Sequence, residues 1–126
     1  ANYKGDLGNG TTNNANVPTP VANITNAVQL SSKEMSTCAL LADGTIQCWG
    51  WNEHGQLGDG STTARATPVQ VVGISNAVGV AVGVFHACAR TATGGVRCWG
   101  SSSRGQLGDG TLSCHVIGQQ VTEVCP

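Results

Sequence analysis

The chain has 126 residues and a net charge of −1, with 10% charged residues against a typical share of about a quarter. Six Lys and Arg in all cannot supply the clustered positive charge that phosphate backbones require, which excludes a nucleic-acid binder. An apolar content of 40% excludes a disordered chain, and eighteen glycines with many Thr, Val and Asn exclude one built of long helices.

The opening Ala1-Asn2-Tyr3-Lys4 carries no basic and then apolar leader, so a secretion signal is expected to have been removed already. Gly5-Asp6-Leu7-Gly8-Asn9-Gly10 follows, and it recurs as Gly55-Gln56-Leu57-Gly58-Asp59-Gly60 and as Gly105-Gln106-Leu107-Gly108-Asp109-Gly110. The offset of 50 orders the whole chain: 19 of the first 50 positions carry the residue found 50 later. Such a period marks a solenoid, a propeller or a similar array.

Val17 to Val21 has the form of a blade's last strand, with no preceding blade to join. Within the first full repeat, Asn26 to Ser31, Ser36 to Leu41, Thr45 to Gly50 and Thr67 to Val72 read as strands between Gly, Asp, Asn and Ser clusters. Ala42-Asp43-Gly44 reads as a tight hairpin turn. The second repeat opens on Ala77 to Phe85, apolar or glycine throughout, as a strand buried on both faces would be. The uncharged stretch from Ala66 to Ala89 is broken by Pro68, Gln70, Ser75, Asn76 and three glycines, so it reads as buried strands and not a membrane span. The expected fold class is therefore all-β, with two four-stranded antiparallel propeller-type blades and an extra N-terminal strand. Residues 1–25 form the orphan strand and loop, 26–75 blade 1 and 76–126 blade 2. The last segment, TLSCHVIGQQVTEVCP, departs from the repeat and reads as a cap.

The run CALLADGTIQCWGWNEHGQLGDGSTTARATPVQV, residues 38–71, resembles the repeat of the regulator-of-chromosome-condensation family of β-propellers. The resemblance rests on CWG, GQLGDG and a following PVxV at fixed spacing, covers nearly the whole chain, and fails after Thr111. It implies a ring of about seven blades, of which this sequence has room for two. It also implies two kinds of activity. Nucleotide exchange on a nuclear GTPase conflicts with disulfides, whereas secreted propellers that block β-lactamases through loop surfaces suggest a protein-binding role.

Six cysteines fall as Cys38 with Cys48, Cys88 with Cys98, and Cys114 with Cys125. A hairpin turning at 42–44 sets Cys38 opposite Cys48, near enough for a bond. Each such disulfide closes a loop of about a dozen residues and contributes roughly 3 kcal/mol in the chain-entropy model. Zinc would need closer cysteine pairs, so no metal is expected, and disulfides imply a secreted or cell-surface protein. Asn9-Gly10-Thr11 and Asn23-Ile24-Thr25 match glycosylation acceptors.

No phosphate loop, HExxH or nucleophile elbow occurs, so no enzyme activity and no cofactor are expected. His86 reads as a packed strand-end residue. The glycine motifs read as structural turns, with Asp59, Asp109 or Asn9 bonding local backbone and Leu57 or Leu107 filling an apolar gap. Trp49 and Trp99 recur and read as packing between blades, whereas Trp51 has Ala1 and Ser101 as counterparts. The varying segments before each glycine motif are therefore the candidate binding loops, with Tyr3, Lys4, Trp51, Glu53, His54 and Arg104 as contact residues.

Two blades cover only the faces they share. The expected partner is thus another copy of the same chain. Blades would stack between copies, and the strand at Val17, Pro18 and Val21 would lie on another subunit's sheet edge. The contacts would be head-to-tail, closing a ring or extending a filament. A rival reading is a secreted module that binds another extracellular protein, and a third, resting on Trp51 and polar loops, binds carbohydrate. None of these readings involves nucleic acid or membrane insertion.

Overall fold

The computed structural model describes residues 1–110 in full and the backbone of the strand at 115–120. Eight strands form two antiparallel sheets in simple sequence order. Blade 1 holds β1 (Ala27–Lys33), β2 (Ser36–Leu41), β3 (Ile46–Gly50) and β4 (Arg65–Gln70). Blade 2 holds β5 (Ala77–Val82), β6 (His86–Thr91), β7 (Val96–Gly100) and β8 (His115–Gln120). The two sheets repeat each other closely. Both carry a register shift after the first residue of the first strand and another at the Cys-Trp-Gly end of the third.

Local chemistry accounts for the turns. At the β2–β3 hairpin the Gly44 amide bonds the Leu41 carbonyl, and Asp43 accepts bonds from the amide and hydroxyl of Thr45. Gly44 has φ of 85°, which a residue with a Cβ adopts only under strain. The hairpin sets Cys38 directly opposite Cys48, and the same holds for Cys88 and Cys98. Both pairs are disulfide-bonded with Cα atoms 4.1 Å apart. Cys114 and Cys125 lie outside the described residues.

The main core lies between the blades. Cys38, Leu40, Ile46 and Cys48 of blade 1 meet Val80, Ala87, Ala89 and Trp99 of blade 2, with Leu57, Val71 and Ile74 closing one side. Val71 and Ile74 do this because β4 ends at Gln70, two residues before the expected boundary, which frees the chain to turn inward.

The expected N-terminal strand is absent: residues 12–21 hold no ladder position. Their equivalents in blade 1 pair with β3, and among the described residues no strand pairs with them. Nor are the N-terminal residues an unattached arm. They lie on the face of blade 1 opposite blade 2, where Val21 and Ile24 pack on Ala39, Leu41 and Trp49. Val21 thus belongs to its own chain's core, while Val17 and Pro18 are exposed.

Candidate functional site

Two regions present chemistry to solvent, the outer flanks of the blades and the rim formed by the loops after β3 and β7. The flanks are governed by tryptophan. The Trp49 indole donates to the Asp6 carbonyl (3.0 Å), and the Trp99 indole donates to the Gln56 carbonyl (2.9 Å). The first two glycine motifs are therefore seats for the tryptophan of the blade that follows each of them. Gly8 and Gly58 have φ of 66° and 69°, and a Cβ at either would sit 2.7–2.9 Å from the indole. No larger residue fits there.

A buried asparagine shapes each seat. Asn52 accepts the Leu57 amide through Oδ1 (2.9 Å) and donates through Nδ2 to the Ser61 and Thr63 carbonyls. Asn2 repeats the pattern with Leu7, Thr11 and Asn13. In the third copy Ser102 takes this place, and its hydroxyl accepts the Leu107 amide at 3.4 Å. Asp59 ties the far end of the loop, accepting from Ser61 and from Arg65 Nε at 2.9 Å. Burial pushes the Asp59 carboxyl up, but the bonds from Ser61, Arg65 and Asn52 outweigh it and hold the carboxyl below its ordinary range. Asn9, at the same place, accepts from the amide and hydroxyl of Thr11.

Between the blades a polar clamp adds to the apolar contact. The Gln29 amide donates to the Val80 carbonyl (3.0 Å) and accepts the Val80 amide (3.2 Å), and Ser31 Oγ accepts the Val82 amide (2.9 Å). In blade 2 the equivalent residues are Gly79 and Ala81, which cannot do this. Around them, Val78, Cys88, Arg90 and Val96 line an open concavity of about 350 Å³.

On the rim, the structure brings most of the candidate loop residues together. Trp51, His54 and Phe85 stack edge-on in a triangle with centroids 5.1–5.6 Å apart. Lys4 Nζ lies 3.4 Å from the Glu53 carboxylate. A hydrogen bond from Trp51, together with Lys4 beside it, holds the Glu53 carboxyl below its usual value. Arg104 adjoins the Phe85 side of this triangle. It lines a second concavity, of about 490 Å³, with Val84, Phe85, His86, Ser103 and Gln106. Tyr3 is 72% exposed. His86 is half-buried, its ring lies on Gly83, and burial lowers its pKa.

The sequence matches the regulator of chromosome condensation (RCC1) repeat over residues 43–90, and a second RCC1 repeat model over 28–56 and 77–106. The chain belongs to the RCC1 repeat family. Its fold is similar to that of human WBSCR16, with a TM-score of 0.83 and 22% identity over 95% of this chain and 33% of that one. It is also similar to Prp20p of Saccharomyces cerevisiae, whose structure was described with its binding to Gsp1p and histones, at 0.72 and 17% identity over 83% and 27%. Yeast RCC1 (Prp20) bound to Kap60 gives 0.66 and 23% identity over 82% and 24%. This RCC1-repeat chain thus spans a quarter to a third of each of these proteins, and the likeness is one of fold. No curated protein sequence matches it.

Two features of these RCC1 repeats escape a reading of residues alone. Asn52 sits among the loop residues Trp51, Glu53 and His54, yet it is fully buried and fixed, and only its neighbours face outward. Its signal is the recurrence of Asn three residues before the glycine motif in two copies. Phe85 is not part of a buried strand as its apolar context suggests. It follows β5 in the turn before β6, is 40% exposed, and completes the aromatic triangle.

Proposed function

We propose that this RCC1-repeat chain is a non-enzymatic, extracellular structural protein that completes its propeller by stacking blade flanks against other copies of itself, as a ring or a filament. One pair of residues carries the reading. Leu30 and Val80 hold the same place in successive blades, yet Leu30 is 63% exposed and Val80, covered by blade 1, is 5% exposed. Val28 beside it is 65% exposed. Covering Leu30 as Val80 is covered contributes about 1.5–3 kcal/mol, whereas the Val28 equivalent, Val78, stays 42% exposed beside blade 1. The N-terminal residues supply only the outer part of a preceding blade, so they seat Trp49 without reaching β1. At the other end, the Gly79 concavity offers a small-residue surface to receive such side chains. The two disulfides are compatible with an extracellular location. Contacts of this kind are head-to-tail, and the symmetry of the joint decides between closure and extension. Size-exclusion chromatography of wild type beside Leu30→Glu tests the reading: the variant elutes as a monomer where wild type associates, and identical elution of both contradicts it.

A second reading is supported by the aromatic triangle. Three partly exposed rings with Lys4, Glu53 and Arg104 nearby make an anchor surface for another extracellular protein. Such a surface lies on the rim and not on the flanks, so it would operate whether or not the blades stack.

A further inference from the structure

The chain holds three glycine-motif loops and three tryptophans, but the two sets do not match. Loop 5–10 seats Trp49 and loop 55–60 seats Trp99. Trp51 is engaged with His54 and Phe85 on the rim. Loop 105–110 therefore has the seat's form, with Leu107 buried and Gly108 at φ of 66°, and none of the chain's own tryptophans fills it.

We infer that loop 105–110 is the receiving seat for Trp49 of a second copy, and that residues 1–26 are a built-in cap that must leave blade 1 before that copy can dock. The inference rests on the self-assembly reading and names its joint and its gate. Repeat geometry dictates the competition, because the glycine-motif loops at 5–10, 55–60 and 105–110 occupy equivalent positions in successive repeats. If blade 2 of one copy meets blade 1 of the next as blade 1 meets blade 2 within a chain, its loop 105–110 arrives where the next copy's loop 5–10 already sits. Only one can hold Trp49. In the free chain the cap holds it, leaving Trp49 3% exposed.

The cap is attached modestly. Apart from Val21 and Ile24, its described ties to blade 1 include the Asp6 carbonyl on Trp49, the Gly10 amide on the Ala66 carbonyl, the Ala42 amide on the Asn26 carbonyl, and the exposed Lys4–Glu53 pair. It also holds one carboxylate oxygen of Asp6 buried without a hydrogen bond. An incoming blade offers more, since it brings β5 and β6 over Leu30, which is 63% exposed beneath the cap. What it lacks is the clamp, because Gly79 and Ala81 stand where Gln29 and Ser31 bond the neighbouring strand within the chain. The exchange is accordingly reversible.

That difference supplies a gain-of-function test. Gly79 has an ordinary backbone conformation, and a Cβ there meets the Arg90 side chain at 3.6 Å, a normal contact. Gly79→Gln with Ala81→Ser restores the clamp and is expected to lower the association midpoint, read by sedimentation velocity on the full chain, by about tenfold. Gly8→Val, which collides with Trp49 and loosens the cap, is expected to lower it likewise. Gly108→Val removes the receiving seat and Leu30→Glu spoils the donating face. Each alone is expected to be monomeric, and a mixture of the two to stop at dimers, because only one competent joint remains. Association that Leu30→Glu abolishes but that Gly108→Val, Gly8→Val and the clamp pair leave at the wild-type level overturns the seat and the cap while leaving self-assembly standing. Monomers in every sample, the clamp variant and Gly8→Val included, overturn both.

Discussion

At the scale of single residues, the glycine motifs work through their polar anchors. Asn52 is fully buried, and its amide satisfies three backbone groups, so Asn52→Ala leaves them unpaired and is expected to cost about 1–3 kcal/mol, read as a lower urea midpoint at unchanged slope. Asp59 gives a pH signature. Its native pKa lies below the ordinary 3.8, so its contribution to stability is complete above that value and is lost as pH falls through the depressed native one. Asp59→Asn, which leaves Arg65 without its carboxylate, is expected to flatten this part of the acid stability profile. Asp6 runs the opposite way. Burial raises its pKa despite Lys4 nearby, so the folded state gains stability as pH falls through that raised value toward 3.8. On the rim, Trp51→Ala removes the centre of the aromatic triangle. If the rim is the recognition surface, that change abolishes partner capture while leaving the oligomer size untouched, and pull-down beside size measurement separates the two effects.

At the scale of elements, the blades were largely legible because a period-50 pattern repeats every local signal twice. The β2 bounds follow directly from the residues between the Lys33–Glu34 pair and the Asp43–Gly44 turn, and the disulfide register follows from that turn. The N-terminal residues were not legible in the same way. Val17 to Val21 match the equivalent segment of blade 1 in Pro18 and Val21, but a strand is a property of a pair, and no strand among the described residues pairs with them. The same side chains, Val21 and Ile24, still pack as Val71 and Ile74 do, since apolar contact needs no ladder. Phe85 shows a second limit, because an uninterrupted apolar run does not reveal where the chain turns, and a turn places the last ring outside. The tryptophan seats make the element-level prediction. Trp99→Ala empties the seat between the blades and is expected to cost about 3–5 kcal/mol, whereas Trp49→Ala chiefly frees the N-terminal residues. Amide exchange resolved along the chain separates the outcomes: loss of protection throughout for the first, and over the first two dozen residues for the second.

At the scale of the whole molecule, the two flanks are unequal. One is partly covered by the chain's own N-terminal residues, which leave Val28 and Leu30 in water, and the other presents Gly79, Ala81 and Val96 beside an open concavity. Large side chains on one flank and small ones on the other are the ingredients of a heterologous joint, and a joint of that kind does not stop at two copies unless the rotation closes. If copies stack as proposed, reversible, concentration-dependent growth is the expected outcome. Sedimentation equilibrium of the native, oxidised chain over a wide range of concentration tests this most directly. The account predicts a weight-average mass that climbs from the 12.8 kDa of one chain through successive multiples. A mass that stays at a single chain throughout would contradict it.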